Sequence, residues 1–194
     1  MEYEDKNVRV VALKAFYIPY VGDTVIGTVI EVGFSGWMVD INSPYLAILR
    51  ASDMLSRPFR PQKNDLSEIL NVGDLVIAKI TAYDRSRDPR LSVEEPGLGK
   101  VTRGQIVKIT PTKIPRVIGR KGSMISMIKQ ETNCHITLGH NGVVLISGKS
   151  LEDERLAMMA LQKIEEESHT SGLTDRVAQT LKNEKAKEKE ETEK

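Results

Sequence analysis

The chain has 194 residues, of which 28 % are charged and 40 % hydrophobic, and its net charge at pH 7 is +1. Its single cysteine, Cys134, excludes an internal disulfide framework. No apolar run approaches the ~18 residues of a membrane span, and the charged N-terminus lacks the apolar core of a signal peptide. We therefore expect one or two soluble cytoplasmic domains that have no membrane partner.

The first half of the chain predicts β-structure. The run VRVVALKAFYI (8–18) ends at Pro19 and predicts a strand or two. Residues 21–93 contain five short runs rich in valine and isoleucine, with a long polar excursion between the third and the fourth. The runs are VGDTVIGTVIEVG, GWMVDI, YLAILR, VGDLVIAKITAYD and RLSVE. Five strands with one long excursion predict an OB-like β-barrel.

The pattern changes after residues 95–99, EPGLG, which have the composition of a linker. A strand is predicted at 104–110, followed by a short segment bounded by prolines that leads into a first helix. A second helix is predicted at 123–131, because its apolar residues recur at helical spacing.

The last part of the chain predicts a hairpin and a long helix. CHITL and VVLISG read as strands, and the Asn-Gly pair inside Gly139–Gly142 is the strongest short-range hairpin signal. A helix over 150–168 begins with Ser150 as its cap. The second unit thus has the order β-α-α-β-β-α. From Lys182 the chain is almost all Lys, Glu, Ala and Thr, which predicts a charged helix extension or tail.

A Gly-x-x-Gly loop separates the two predicted helices of this unit. Gly119 and Gly122 bracket Arg120 and Lys121. A glycine in a helical pattern costs about 1 kcal/mol relative to alanine, whereas a missing β-carbon lets a nucleic-acid backbone come close. The second helix begins here with free N–H groups, which favour anions. In this order of elements the loop is that of a KH module. The alternative is a simple turn between helices.

The loop ends a basic segment. Residues 100–121 carry seven basic side chains and no acidic one, which is the pattern expected for a polyanion partner. A solvated lysine-rich face is the alternative, although it usually interleaves acids. The predicted RNA contacts are therefore Lys113, Arg116 and the loop residues, with Ile118 as part of an apolar floor under the bases.

The barrel carries a second candidate surface. Phe34 and Trp37 flank a Ser-Gly turn, and Arg50 follows the third strand. Aromatic and arginine side chains on an OB-like barrel can form a platform for single-stranded nucleic acid. For Trp37 a core position is the alternative, and we expect Phe34 to be the more favourable contact.

An enzymatic function is not favoured by the sequence. Cys134 and His135 are adjacent in a strand and point to opposite faces, so they do not form a metal pair. No GxSxG, HExxH or P-loop pattern occurs. We predict no catalytic residue, no metal site and no cofactor.

Several of these segments together resemble a known family. VGDTVIGTVIEV, GWMVDINSPY and VGDLVIAKI resemble an S1-type OB domain, and IPRVIGRKGSM, GHNG and ESHTSGLTDR resemble the RNA-binding cap subunits of the archaeal exosome. The eukaryotic members are the ribosomal RNA-processing protein 4 family. The resemblance runs from about residue 8 to about 182.

The resemblance implies a fold and partners. It implies an S1-type barrel followed by a KH domain, with a remnant of an N-terminal β-domain that docks on the complex. It implies a non-catalytic subunit that binds single-stranded RNA, as a trimeric cap on a hexameric ring of RNase PH-like subunits, and feeds 3′ ends to the phosphorolytic sites of that ring. Gly139, Asn141 and Gly142 match a GxNG signature, which we interpret as a structural hairpin.

The predicted division of the chain is a remnant over 1–19, the S1-type domain over 20–95, the KH domain over 96–171 and a charged helix or tail over 172–194. Two features depart from the family. The segment before the S1-like unit is short, and Arg50 stands where many S1 domains have histidine. A stand-alone S1/KH factor in transcription or translation is the alternative function, and an enzyme acting on RNA is a third.

Overall fold

The structure is a computed structural model that describes residues 16–54, 66–84, 86–170 and 172–192. Most of the strand-like run 8–18 therefore lies outside the described residues. The first half of the fold consists of β1 (Thr24–Val32), β2 (Gly36–Asp40), β3 (Leu46–Arg50), α1 (Ala51–Met54), a 3₁₀ turn (Leu66–Glu68), β4 (Leu75–Asp84), β5 (Arg87–Ser92) and β6 (Gly99–Lys100).

Five of these strands close into a barrel. Their order is β1-β2-β3-β5-β4, and β1 also pairs with β4, so the sheet closes on itself. The β3–β5 pair is parallel and the other pairs are antiparallel. Period-two alternation points apolar side chains such as Val39, Leu49 and Ile80 into the interior, where they are fully buried. The predicted five-stranded barrel is confirmed.

The segment predicted as a linker ends in a strand. In β6, Lys100 pairs with Val76 of β4, and its ammonium group lies 2.5 Å from the Asp74 carboxylate. That hydrogen bond is the main reason that the pKa of Asp74 is lowered. The barrel sheet thus continues to Lys100, and the domain boundary between 95 and 96 stays a prediction.

The second unit has the predicted order of elements. It contains β7 (Gln105–Lys108), a 3₁₀ turn (Pro111–Lys113), α2 (Ile114–Ile118), a 3₁₀ turn (Arg120–Gly122), α3 (Ser123–Thr132), β8 (His135–Leu138), β9 (Val143–Ser147), α4 (Leu151–Glu167) and α5 (Leu173–Thr192). The sheet order is β7-β9-β8, fully antiparallel. The Ser150 hydroxyl accepts a hydrogen bond from the Asp153 N–H at 3.1 Å, so the predicted cap of α4 is present.

Helix α5 belongs to the core of this second unit over its first half. Leu173, Val177 and Leu181 recur every four residues and are 6 %, 0 % and 1 % exposed. They join the core formed by the sheet and the other helices. In the second half of α5, Lys185 forms an ion pair with Glu131 of α3. The first turn of α5 is therefore held in a fixed place.

Strand β9 has no solvent face, which explains its unbroken run of apolar residues. Val144 and Ile146 pack against the helices, whereas Val143 and Leu145 pack against Ile26 on the outside of the barrel. A strand that is covered on both sides reads as a continuous hydrophobic run instead of an alternating one. The two units therefore share a small apolar core of their own.

The β8–β9 hairpin completes this junction with polar contacts. The Asn141 side chain is fully buried; its amide donates to the Ile26 carbonyl at 2.7 Å and to the Ile41 carbonyl at 2.9 Å. Its Oδ1 accepts from the Ile26 N–H at 3.3 Å. The His140 N–H donates to the Thr24 carbonyl at 2.8 Å. The GxNG hairpin thus binds main-chain groups of the barrel.

Candidate nucleic-acid interface

The Gly-x-x-Gly loop forms the tip between α2 and α3. Gly119, Lys121 and Gly122 all have positive φ, at 74°, 51° and 79°, a region that glycine enters without steric cost. Gly122 precedes the first residue of α3, and it has no side chain with which to cap that helix. The local sequence therefore produces a bare backbone corner at a helix start, where a phosphate group can approach.

The two glycines are required for different reasons. A β-carbon on Gly119 would lie 2.7 Å from the Met124 Cβ and 2.8 Å from the Met124 N, so the fold itself excludes one. A β-carbon on Gly122 would meet nothing within 4 Å. Packing thus accounts for Gly119, whereas the face of Gly122 is open to an approaching strand.

The predicted basic side chains divide into two groups. Arg116, Arg120 and Lys121 are exposed at the loop. Lys113 instead donates from Nζ to the Glu165 carbonyl at 2.6 Å, and so neutralises the C-terminal end of α4. This hydrogen bond holds the Lys113 ammonium group against α4, and an RNA contact of Lys113 stays a prediction. The Glu165 carbonyl is 52 residues away in sequence, so no local signal could reveal this bond.

The apolar side chains near the loop are only partly available. Ile118 and Ile125 are half-buried and pack against the core of the second unit. Their remaining exposed surface lies on the elements that flank the loop. Ile118 as part of a floor for bases stays a prediction.

A groove of about 630 Å³ adjoins the loop. Arg116, Gly119, Arg120 and Ser123 line one side of it, and the start of α5, with Thr170 and 172–175, lines the other. The resemblance covered this segment of sequence, but the segment was not predicted to belong to the RNA site.

On the barrel, Trp37 is a core residue and not an RNA contact. Its ring is 1 % exposed, and its Nε1 donates to the Leu70 carbonyl at 2.9 Å. The alternation within β2, where Trp37 and Val39 share one face, already indicated an inward ring. The prediction that Trp37 contacts RNA is therefore wrong.

Phe34 and Arg50 both lie on the outside of the barrel, near the β1–β2 turn. Phe34 is 82 % exposed in the β1–β2 turn. Arg50, also exposed, pairs with Gly36 at the end of that turn. An exposed aromatic ring can stack a base, and an exposed guanidinium group on the same surface can bind a phosphate.

Arg90 also lies on the outside of the barrel, and it was not predicted from the sequence. Arg90 pairs across the sheet with Ile48, and its Nε and Nη2 donate to the Asp53 carboxylate at 3.1 to 3.3 Å. Two bonds to one carboxylate fix the plane of the guanidinium group, and 41 % of the side chain stays exposed. The only signal in the sequence was its place in the fifth strand.

Replacing Phe34 by alanine is expected to weaken binding of single-stranded RNA by about 1 kcal/mol, roughly fivefold, because one stacked base loses its ring. The free energy of unfolding should hardly change, since the ring is exposed. Fluorescence anisotropy and urea titration measure the two effects. Phe16→Ala is the matched control, because Phe16 is 83 % exposed and lies before β1, outside the β1–β2 turn. Equal losses for both variants would contradict a specific role of Phe34.

Among the described residues, the shifted pKa values of Cys134 and Asp84 do not favour a catalytic nucleophile or a general acid. Burial raises the pKa of the Cys134 thiol, which keeps it protonated. The hydrogen bond from the Ser86 hydroxyl lowers the pKa of Asp84. No group of three or more metal-ligating side chains comes together among the residues that the structure describes. Within the same ranges, none of the helices is long and apolar enough to span a bilayer.

Comparisons with known proteins match both units. The model of the RRP4 S1 domain matches residues 16–82, and the model of the KH domain matches residues 104–170. The exosome complex component Rrp4 of Thermofilum pendens is 46 % identical over 181 residues, which cover 93 % of this chain and 76 % of that protein. The Rrp4 of Methanosarcina mazei is 50 % identical over 187 residues, covering 96 % and 70 %.

A solved structure agrees with these sequence matches. The crystal structure of an exosome complex RNA-binding protein matches with a TM-score of 0.84 at 44 % identity, covering 89 % of this chain and 98 % of that one. The predicted architecture of an S1-type barrel followed by a KH unit is confirmed. Since the identity extends over most of both chains, the chain belongs to the Rrp4 family of exosome components.

Proposed function

We propose that the chain is the RNA-binding, non-catalytic cap subunit of an exosome, which binds single-stranded RNA and directs its 3′ end to a phosphorolytic RNase PH-like ring. The observation that carries this proposal is the Gly119–Gly122 loop. It offers a bare backbone with positive φ angles, and the Arg120 and Lys121 side chains are exposed beside it. Relatives that match most of this chain are exosome components.

The chemistry of the described groups supports binding over cleavage. Guanidinium and ammonium groups at the loop and on the barrel favour phosphates, and the exposed Phe34 ring favours unpaired bases. The buried Cys134 and the hydrogen-bonded Asp84 are poorly suited to act as a nucleophile and a general acid. The phosphorolytic step is accordingly assigned to another subunit.

An exposed apolar strip supports a protein partner. Phe16, Ile18, Tyr20 and Val21 are 83 %, 55 %, 68 % and 61 % exposed at the start of the described chain. Surfaces of this kind mark protein contacts. We assign this end of the molecule to the ring, on which three copies would form the cap over six ring subunits.

The dependence of RNA affinity on salt concentration tests the RNA-binding part of this proposal. Phosphate contacts release counterions, so log Kd for oligouridylate should rise linearly with log salt, with a slope of about 0.7 for each contact. Three exposed charges at the loop predict a slope near 2. Arg120→Gln should reduce it by about 0.7. An affinity that is flat between low and moderate salt would overturn the assignment of the basic loop.

The partner and the lack of catalysis are tested together. The chain should co-purify with RNase PH-like subunits and should increase RNA decay by them in the presence of phosphate. Alone, it should bind RNA without degrading it. RNA binding without any ring association would favour the stand-alone S1/KH factor, and phosphate-dependent decay by the isolated chain would favour an enzyme.

A further inference from the structure

The groove beside the loop is continuous with the surface that we assign to RNA. Arg120 belongs to both the loop and the groove, and Arg116 lines the groove one turn earlier in α2. Both side chains are exposed. The groove lining therefore carries two arginines against one carboxylate, that of Asp175. This charge balance suits the phosphate of a strand that passes over the loop.

The helical part of the far side of the groove is anchored in the core of the second unit. The far side consists of Thr170, Gly172 and the first turn of α5, where Thr174 and Asp175 are exposed. Leu173 and Val177 flank these residues and are buried in the core. The groove is therefore preformed, which reduces the entropic cost of ordering a ligand.

The turn between β8 and β9 packs against the barrel and is not available to RNA. Asn141 is fully buried, and Gly139 and Gly142 are buried with it at the barrel junction. A strand that leaves the loop therefore finds an open path along α5 and none over the hairpin.

We propose that a nucleotide of the RNA strand held by the loop lies in the groove against the first turn of α5. This inference rests on the proposed RNA-binding function. Thr170 and residues 172–175 are then a wall of the RNA site, and Asp175 weakens the affinity by repelling the strand.

The test compares two acidic residues in equivalent positions. Asp175→Asn should tighten oligouridylate binding about threefold, which is the effect of one unit charge at about 6 Å from a phosphate in water. Glu152→Gln also removes an exposed acid from the first turn of a helix, α4, but it lies outside the groove lining and should leave Kd unchanged. Anisotropy at one fixed ionic strength gives both values.

A second pair of variants tests the opposite sign. Thr174→Glu should weaken binding several-fold, whereas Gln179→Glu, on an exposed position of the same helix, should have little effect. Equal changes in Kd within either pair would show a general charge effect and would overturn the assignment of RNA to the groove. An unchanged Kd in all four variants would overturn it as well. If Gly122→Asp still weakens binding in that case, the loop function survives. If it does not, the proposed KH contact fails as well.

Discussion

Gly122→Asp is expected to weaken binding of single-stranded RNA by at least about tenfold, or 1.4 kcal/mol. The change places a side chain and a negative charge where the backbone is most open, since a β-carbon there meets no atom of the protein within 4 Å. A like charge near a phosphate is repelled, and the added atoms prevent close approach. Filter binding or anisotropy with oligouridylate measures the loss.

Asparagine at the same position separates charge from shape. Asn and Asp have the same size, and Asn tolerates the left-handed conformation that Gly122 adopts with φ of 79°. Gly122→Asn should therefore cost less affinity than Gly122→Asp, and both should lose similar stability. Unchanged affinity in the aspartate variant would remove the loop from the RNA site.

Asn141→Ala is expected to lower the free energy of unfolding by about 3–5 kcal/mol, because buried main-chain groups lose their partners. The Ile26 and Ile41 carbonyls each lose a donor, and the Ile26 N–H loses its acceptor. Urea denaturation should show a lower midpoint. The barrel and the second unit should also unfold less cooperatively, because these bonds join them.

Asn183→Ala is the matched control for this substitution. Asn183 is exposed on α5, and surface changes of this kind are usually within about 0.5 kcal/mol. A loss for Asn141→Ala as small as that of the control would show that the apolar contacts of Val143 and Leu145 with Ile26 hold the junction without the amide.

The sequence predicted the elements well, because their signals are local. Valine-rich runs broken by Gly and Asn predicted the barrel strands, and the Asn-Gly pair predicted the hairpin between β8 and β9. Leu173, Val177 and Leu181 recur with a spacing of four, which is typical of a buried helix face. Many charged residues surround them, however, and the face was not predicted. Residues 172–194 were consequently predicted as a charged helix or tail and not as part of the core.

The site was predicted less completely, because contacts between distant residues decide which side chains are free. Lys113 is held by Glu165, and Trp37 is held by Leu70, both through main-chain carbonyls. The hairpin motif was interpreted as local structure, although Asn141 contacts strand β1 more than a hundred residues earlier in sequence. The distinction between Gly119 and Gly122 required the position of Met124.

The doubly covered strand β9 has a consequence for biosynthesis. During translation the last strand of the barrel sheet, which ends at Lys100, is synthesised before Val143 and Leu145. The outer face of β1 at Ile26 must therefore stay uncovered on the nascent chain until β9 emerges. A chain released early would present this apolar face to other proteins, so it would be exposed to aggregation and a target for chaperones.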